Sequence, residues 1–183
     1  AARLILDSAG ATDVAIEQVP GKLSDHYDPQ AKVLRLSPEV YSQRSLAAVG
    51  IAAHEAGHAL QDAQGYALMS IRNAAVGIAN IGSGFGVILL LIGLGIGLSQ
   101  LAWLGILLLG GTVFFKLVNL PVEFDASNRA KAQLVSLGIV PQADMGGVNR
   151  VLNAAAWTYV AATLQSLLTL LYYASFLTGR DSE

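Results

Sequence analysis

The sequence predicts a mainly α-helical integral membrane protein with a small β-hairpin near its N-terminus. Three observations carry this expectation. The 24 charged residues among 183 are unevenly placed: 14 fall in 1–75, one in 76–120, six in 121–150 and three in 151–183. Asn73–Phe115 and Val151–Gly179 are uncharged over 43 and 29 residues, and each exceeds the roughly 20 apolar residues that cross a bilayer as a helix. Two short segments near the start alternate apolar and polar side chains, the period of a half-buried strand. Capping and breaking residues punctuate the remainder as helices.

Helix 1 is expected to stop at Ala9, with Gly10 supplying a left-handed C′ position. Ala1-Ala2-Arg3-Leu4 opens in mid-helix without a capping residue, so upstream sequence is expected. Val14–Val19 and Lys32–Leu36 are the alternating segments and are expected to pair as the hairpin, with turn signals at Pro20-Gly21 and Asp28-Pro29. Ser37-Pro38 reads as an N-cap followed by proline at the first helical position. A longer helix follows from about Ser45 to Gln64, closed by Gly65.

Val76–Leu98 and Leu101–Asn119 are apolar runs separated by Ser99-Gln100, which predicts a helical hairpin of two spans. Gly93 and Gly97 stand at a small-xxx-small spacing that favours close helix packing in lipid. Gly82-Ser83-Gly84-Phe85-Gly86 has the composition of a phosphate loop without the preceding strand such a loop needs. Pro121 is expected to open a separate helix that ends before Gly138. Asp144 then caps a final helix through Leu177, whose last two-thirds form a third span. The expected segments are 1–75, 76–120, 121–150 and 151–183.

Composition also excludes functions. With 54% hydrophobic and 13% charged residues, the chain is neither a soluble globular enzyme nor disordered. A net charge of −2 lacks the basic excess that nucleic acid requires. Cysteine is absent, which removes disulfides, thiolate metal sites and a cysteine nucleophile.

The chemistry lies in His54-Glu55-Ala56-Gly57-His58. Residues four apart share a helix face, so His54 and His58 can present two imidazole nitrogens to one zinc ion. Glu55 then stands beside the ion as the base for a metal-activated water. With three histidines and five glutamates in the chain, chance produces this pattern about once in a thousand such sequences. A catalytic zinc wants a third protein ligand. Asp62 lies eight residues from His54, about 12 Å along a straight helix, too far to share one ion; it is instead a candidate acceptor for an imidazole N–H. Glu123 and Asp125 remain, on different faces of their helix, and spacing favours Glu123 only slightly. His26, Tyr27, Tyr66, Asn119 and Arg129 are candidates for stabilising an oxyanion.

Ser24-Asp25-His26-Tyr27-Asp28-Pro29, Ala52–Ala59, the apolar hairpin and Leu120-Pro121-Val122-Glu123-Phe124-Asp125-Ala126-Ser127 together resemble the YugP-type neutral zinc metallopeptidases, which are bacterial membrane proteins. The resemblance spans essentially the whole chain. It implies a membrane zinc peptidase, usually with a further N-terminal transmembrane helix. More distantly the pattern is similar to the HtpX and CAAX prenyl protease families, in which H-E-x-x-H is followed by a membrane hairpin and E-[FY]-x-A-D. By that likeness Glu123 is the third ligand of a single Zn2+. Ser127 stands where those families carry aspartate.

The expected function is thus a membrane-embedded zinc endopeptidase with Glu55 as general base, acting on membrane-associated polypeptide. Arg72, Lys116, Arg129, Lys131 and Arg150 flank the spans on one side against Arg180 on the other. This places the expected active site on the cytoplasmic face of a bacterial inner membrane. An inactive adaptor with a structural zinc is the alternative. A transporter fits less well, because the spans carry almost no ionisable residues.

Overall fold

The computed structural model describes residues 1–180, apart from the side chain of Arg180. It is mainly helical, with one three-stranded sheet. Two compact units divide the chain: Ala1–Met69 with Val122–Trp157, and Ser70–Pro121 with Thr158–Glu183.

In the first unit, α1 (Ala2–Ser8) ends at Ala9 and Gly10 takes φ +75°. The three strands are β1 (Ala15–Gln18), β2 (His26–Asp28) and β3 (Val33–Leu36), in the order β1-β3-β2. The expected hairpin between the two alternating segments is therefore corrected. Those segments are β1 and β3, and they pair in parallel, Ala15 opposite Val33 and Gln18 opposite Leu36. The antiparallel partner of β3 is β2, which runs into the second turn signal and is too short to show alternation.

Local chemistry explains the pairing. Asp28 Oδ1 accepts the backbone N–H groups of Gln30 and Ala31 at 3.0 and 3.1 Å, and Lys32 takes φ +53°, which closes the β2–β3 turn. Arg35 on the central strand reaches Asp28 on β2 at 2.7 Å and Glu17 on β1 at 3.6 Å, fixing both registers. The Ala31 N–H and the Arg35 guanidinium hold the Asp28 carboxyl below its usual range. Alternation announces a strand but carries no direction, so parallel and antiparallel partners look alike in sequence.

Ser37 precedes α2 (Pro38–Ser42), yet its hydroxyl donates to Asp25 at 3.0 Å and does not cap the helix. In α3 (Leu46–Ala63), by contrast, the Ser45 Oγ accepts the Ala48 N–H at 3.1 Å. Both β2 and β3 lie against α3. The core joins Ile5 and Leu6 of α1, Leu34 of β3 and Ala53 and Ala56 of α3 with residues 122–152. Burying such side chains stabilises by about 1.5–3 kcal/mol each.

In the second unit, the first apolar helix is longer than expected. It runs from Ala67 as α4 (Ala67–Ile81), passes through a π-helical turn at Gly82–Gly86, and continues as α5 (Val87–Ile96). The glycine pair expected at the helix contact is also corrected. A Cβ on Gly93 would collide with the Ala102 backbone, whereas Gly97 touches nothing and takes φ +74° to end α5.

The next helix, α6 (Ser99–Ser136), overturns the expected break, because it continues through Pro121 for 38 residues. Proline removes one i→i−4 hydrogen bond, and the flanking turns hold the helix together across it. A 3-10 turn at Gln142–Asp144 leads into α7 (Met145–Arg180). Among the described residues three helices, Ala67–Ile96, Ser99–Ser136 and Gln142–Gly179, are long and apolar enough to cross a membrane.

Candidate metal centre

The centre forms where α3 crosses the last third of α6, both inside the first unit. Helical periodicity puts His54 and His58 on one face, with ring centroids 4.8 Å apart and planes at 83°. Glu123 is 3% exposed. Its Oε2 lies 3.2 Å from His54 Nε2 and 3.7 Å from His58 Nε2. Two donors about 2.0–2.1 Å from a tetrahedral zinc stand about 3.3 Å apart, so this spacing fits one ion. The ligand atoms of the three residues all fall within 4.8 Å of one another.

A close helix crossing makes the convergence possible. A Cβ built on Gly57 would lie 2.5 Å from the carbonyl oxygen of Ala126 and 3.2 Å from its Cα. Only glycine opposite a fully buried alanine lets the backbones approach this far. The glycine of the α3 motif and the alanine of Glu123-Phe124-Asp125-Ala126 are thus the two halves of one contact.

The outward nitrogens of both imidazoles are also engaged. His54 Nδ1 faces Ser127 Oγ at 3.0 Å, and His58 Nδ1 faces Gln61 Oε1 at 2.9 Å. With both Nδ1 atoms protonated toward these acceptors, each Nε2 is left for an ion, the arrangement that orients metal-ligating histidines. Gln61, 0% exposed, donates its amide to the Val122 carbonyl and to Asp125 Oδ2, both at 2.8 Å. The Asp125 carboxylate also receives Arg129, which bonds Gln64 and lies over the Tyr66 ring. A chain of polar contacts therefore runs from His58 to Arg129.

Burial alone would raise the Glu123 carboxyl, but the hydrogen bonds and charges of His54 and His58 outweigh it and hold it well below the usual carboxylate range. For His58 the same burial works against a proton. The Glu123 hydrogen bond, the charges of Glu55 and Glu123, and the Gln61 contact overcome it and raise the imidazole. The two directions report mutual stabilisation, imidazole charge around the carboxylate and carboxylate charge around the imidazole.

The structure brings together His54, His58 and Glu123 and puts Glu55, 9% exposed, on the same helix within electrostatic reach of His58. It does not bring Asp125 to the ion position, since its carboxylate faces Gln61 and Arg129. Asp62 is corrected as well. It accepts the Tyr27 hydroxyl at 2.8 Å and the Lys32 ammonium, and the imidazole contact for which it was one candidate is made by Gln61. Burial and Asp62 push the Tyr27 phenol up from its ordinary value.

Ser24–Pro29 proves to be scaffolding: Asp25 binds Ser37, Tyr27 binds Asp62 and Asp28 closes a turn. His26 contacts the Ser24 carbonyl at 2.7 Å, and Asn119 accepts a bond from Arg72. Sequence reasoning missed Gln61, whose signal was its position one turn after His58. It marked Ser127 only as a departure from aspartate.

A helix-borne histidine pair and a buried glutamate from a second helix form a group that could hold a metal ion, with a further carboxylate beside it. The sequence profile of the family described as "Putative neutral zinc metallopeptidase" matches residues 1–178, and the chain belongs to that family. It is 49% identical over 183 residues, all of this chain and 81% of the relative, to the Bacillus subtilis (strain 168) protein named "Putative membrane protease YugP". No solved structure matches.

Proposed function

We propose that this protein is an integral membrane zinc endopeptidase that cleaves polypeptide segments at or near the bilayer. The observation that carries the proposal is the convergence of His54, His58 and Glu123 at the donor spacing of one zinc ion, with Glu55 beside them. When bound, zinc polarises a scissile carbonyl and makes a water acidic near neutral pH. Glu55 takes the proton from the attacking water and delivers it to the leaving amine nitrogen as the C–N bond breaks. Ser127 and Gln61 hold the imidazoles so that their Nε2 atoms keep their aim.

Membrane residence is supported by the three apolar helices and by exposed side chains such as Leu107, Leu164 and Leu168, more apolar surface than a soluble monomer leaves to water. We read the spans as residues 76–98, 101–119 and 156–177. Glu123 follows Asn119 by four residues in one helix, about 6 Å of rise, which puts the ligand close to the membrane boundary and favours membrane-associated substrates. The excess of Arg and Lys on that side favours a cytoplasmic centre in the plasma membrane. A reporter fused to the C-terminus should then read out on the opposite face, and a cytoplasmic reading would reverse the orientation.

Chelation should abolish hydrolysis of a test peptide, and one equivalent of zinc should restore it. Undiminished cleavage by metal-free protein would reject the mechanism. The same peptide anchored in the bilayer should be cut faster than its soluble form; equal rates would reject the substrate class.

A further inference from the structure

From residue 73 to residue 121 the chain has a single charged residue, Lys116. In the second unit its ammonium bonds the Ser166 hydroxyl and the Ala162 carbonyl of α7, the latter at 3.3 Å. No carboxylate pairs with it among the described residues. Neutral partners solvate an ammonium but leave its charge uncompensated, which is costly away from water.

A cavity of about 250 Å3 opens beside Lys116, within the same unit. Its walls are graded. Ser166 stands at the ammonium and the exposed Gln165 beside it on α7, while the Thr112 hydroxyl in the same wall donates to the Ala79 carbonyl at 3.2 Å. Leu109 lies two turns back along α6, about 10 Å deeper toward the middle of the 101–119 span, and Leu170 lies one turn past Ser166 on α7. The groove therefore offers a positive charge at the end nearer Asn119 and the apolar Leu109 and Leu170 farther along, where the hydroxyls of Ser83 and Thr169 are spent on backbone carbonyls of their own helices.

Resting on the membrane reading above, we propose that this groove binds one anionic phospholipid, its headgroup phosphate against Lys116 and one acyl chain along Leu109 and Leu170. Charge complementarity selects a net-negative head over a zwitterionic one, because only the former neutralises Lys116. The phosphate oxygens accept from the Lys116 ammonium and the Gln165 amide, donors that hydrocarbon would leave unmatched. Basic pockets between transmembrane helices recognise anionic headgroups by this chemistry.

The test is native mass spectrometry of the full chain released from bilayers of equimolar phosphatidylglycerol and phosphatidylcholine with identical acyl chains. The wild type should retain one phosphatidylglycerol with a preference of about fivefold, the effect of one basic residue at a membrane surface. Lys116→Gln should remove the preference and Lys116→Arg should keep it. Gln165→Leu changes only an exposed side chain and should weaken retention, which keeps the test open if Lys116→Gln fails to fold.

Equal retention of the two lipids by the wild type, or an unchanged preference in Lys116→Gln, would overturn the proposal. Displacement of the lipid by glycerol phosphate at equal concentration would overturn the acyl-chain half. Displacement by a peptide with a free C-terminal carboxylate, and not by its amide, would assign the groove to polypeptide instead. Failure of the membrane reading itself has a different signature, namely wild-type protein in the soluble fraction.

Discussion

Replacing Glu55 by glutamine should lower kcat/KM for peptide hydrolysis by about 10²–10⁴, the usual contribution of a positioned general base, while zinc content stays at the wild-type level. The substitution is nearly isosteric, and Glu55 is outside the ligand set, so neither packing nor metal binding has reason to change. What it removes is the proton acceptor next to His58 in a largely buried position. Steady-state kinetics together with metal analysis of the same preparation separate the possibilities. Half or more of the activity remaining would remove Glu55 from the chemistry, whereas loss of zinc would make it a ligand. A wild-type protein that holds zinc and hydrolyses nothing would point to the adaptor reading.

The second large effect distinguishes the two carboxylates of α6. Glu123→Ala should weaken zinc binding by more than about 100-fold, beyond the 10–100-fold typical of losing a group that only orients a ligand. It deletes the oxygen that faces both imidazoles, 3.2 and 3.7 Å away. Asp125→Ala should weaken binding by about tenfold or less, since its carboxylate acts only through Gln61 on His58. Competition with a zinc-chelating dye measures both constants. Loss of zinc confined to the Asp125 variant would refute the assignment of Glu123.

Much of the centre was legible because its parts are local. Two histidines four apart need only a helix to align them, and Ser45 and Gly65 mark that helix. Glu123 was separable from Asp125 only through a family likeness, because which face of α6 meets α3 is decided by the Gly57–Ala126 crossing, nearly 70 residues apart in sequence. The same holds for Asp62. Its i, i+4 relation to His58 suggested an imidazole partner, yet a tyrosine and a lysine brought in by the sheet claim it. Pro121 misled for a different reason. Proline is a usual first helical residue, and nothing nearby in sequence reveals that the helix is already under way.

Ser127 has a consequence for the charge around the ion position. Both imidazoles rest against neutral groups, a hydroxyl and an amide, so the negative charges at the ion position come to two, from Glu123 and Glu55. A divalent cation cancels them and leaves a pocket with no net charge, which suits its burial. Where the more distantly similar families set an aspartate, the serine here changes the partner of His54 from a charged group to a neutral one, and a single hydroxyl keeps the aim of that imidazole.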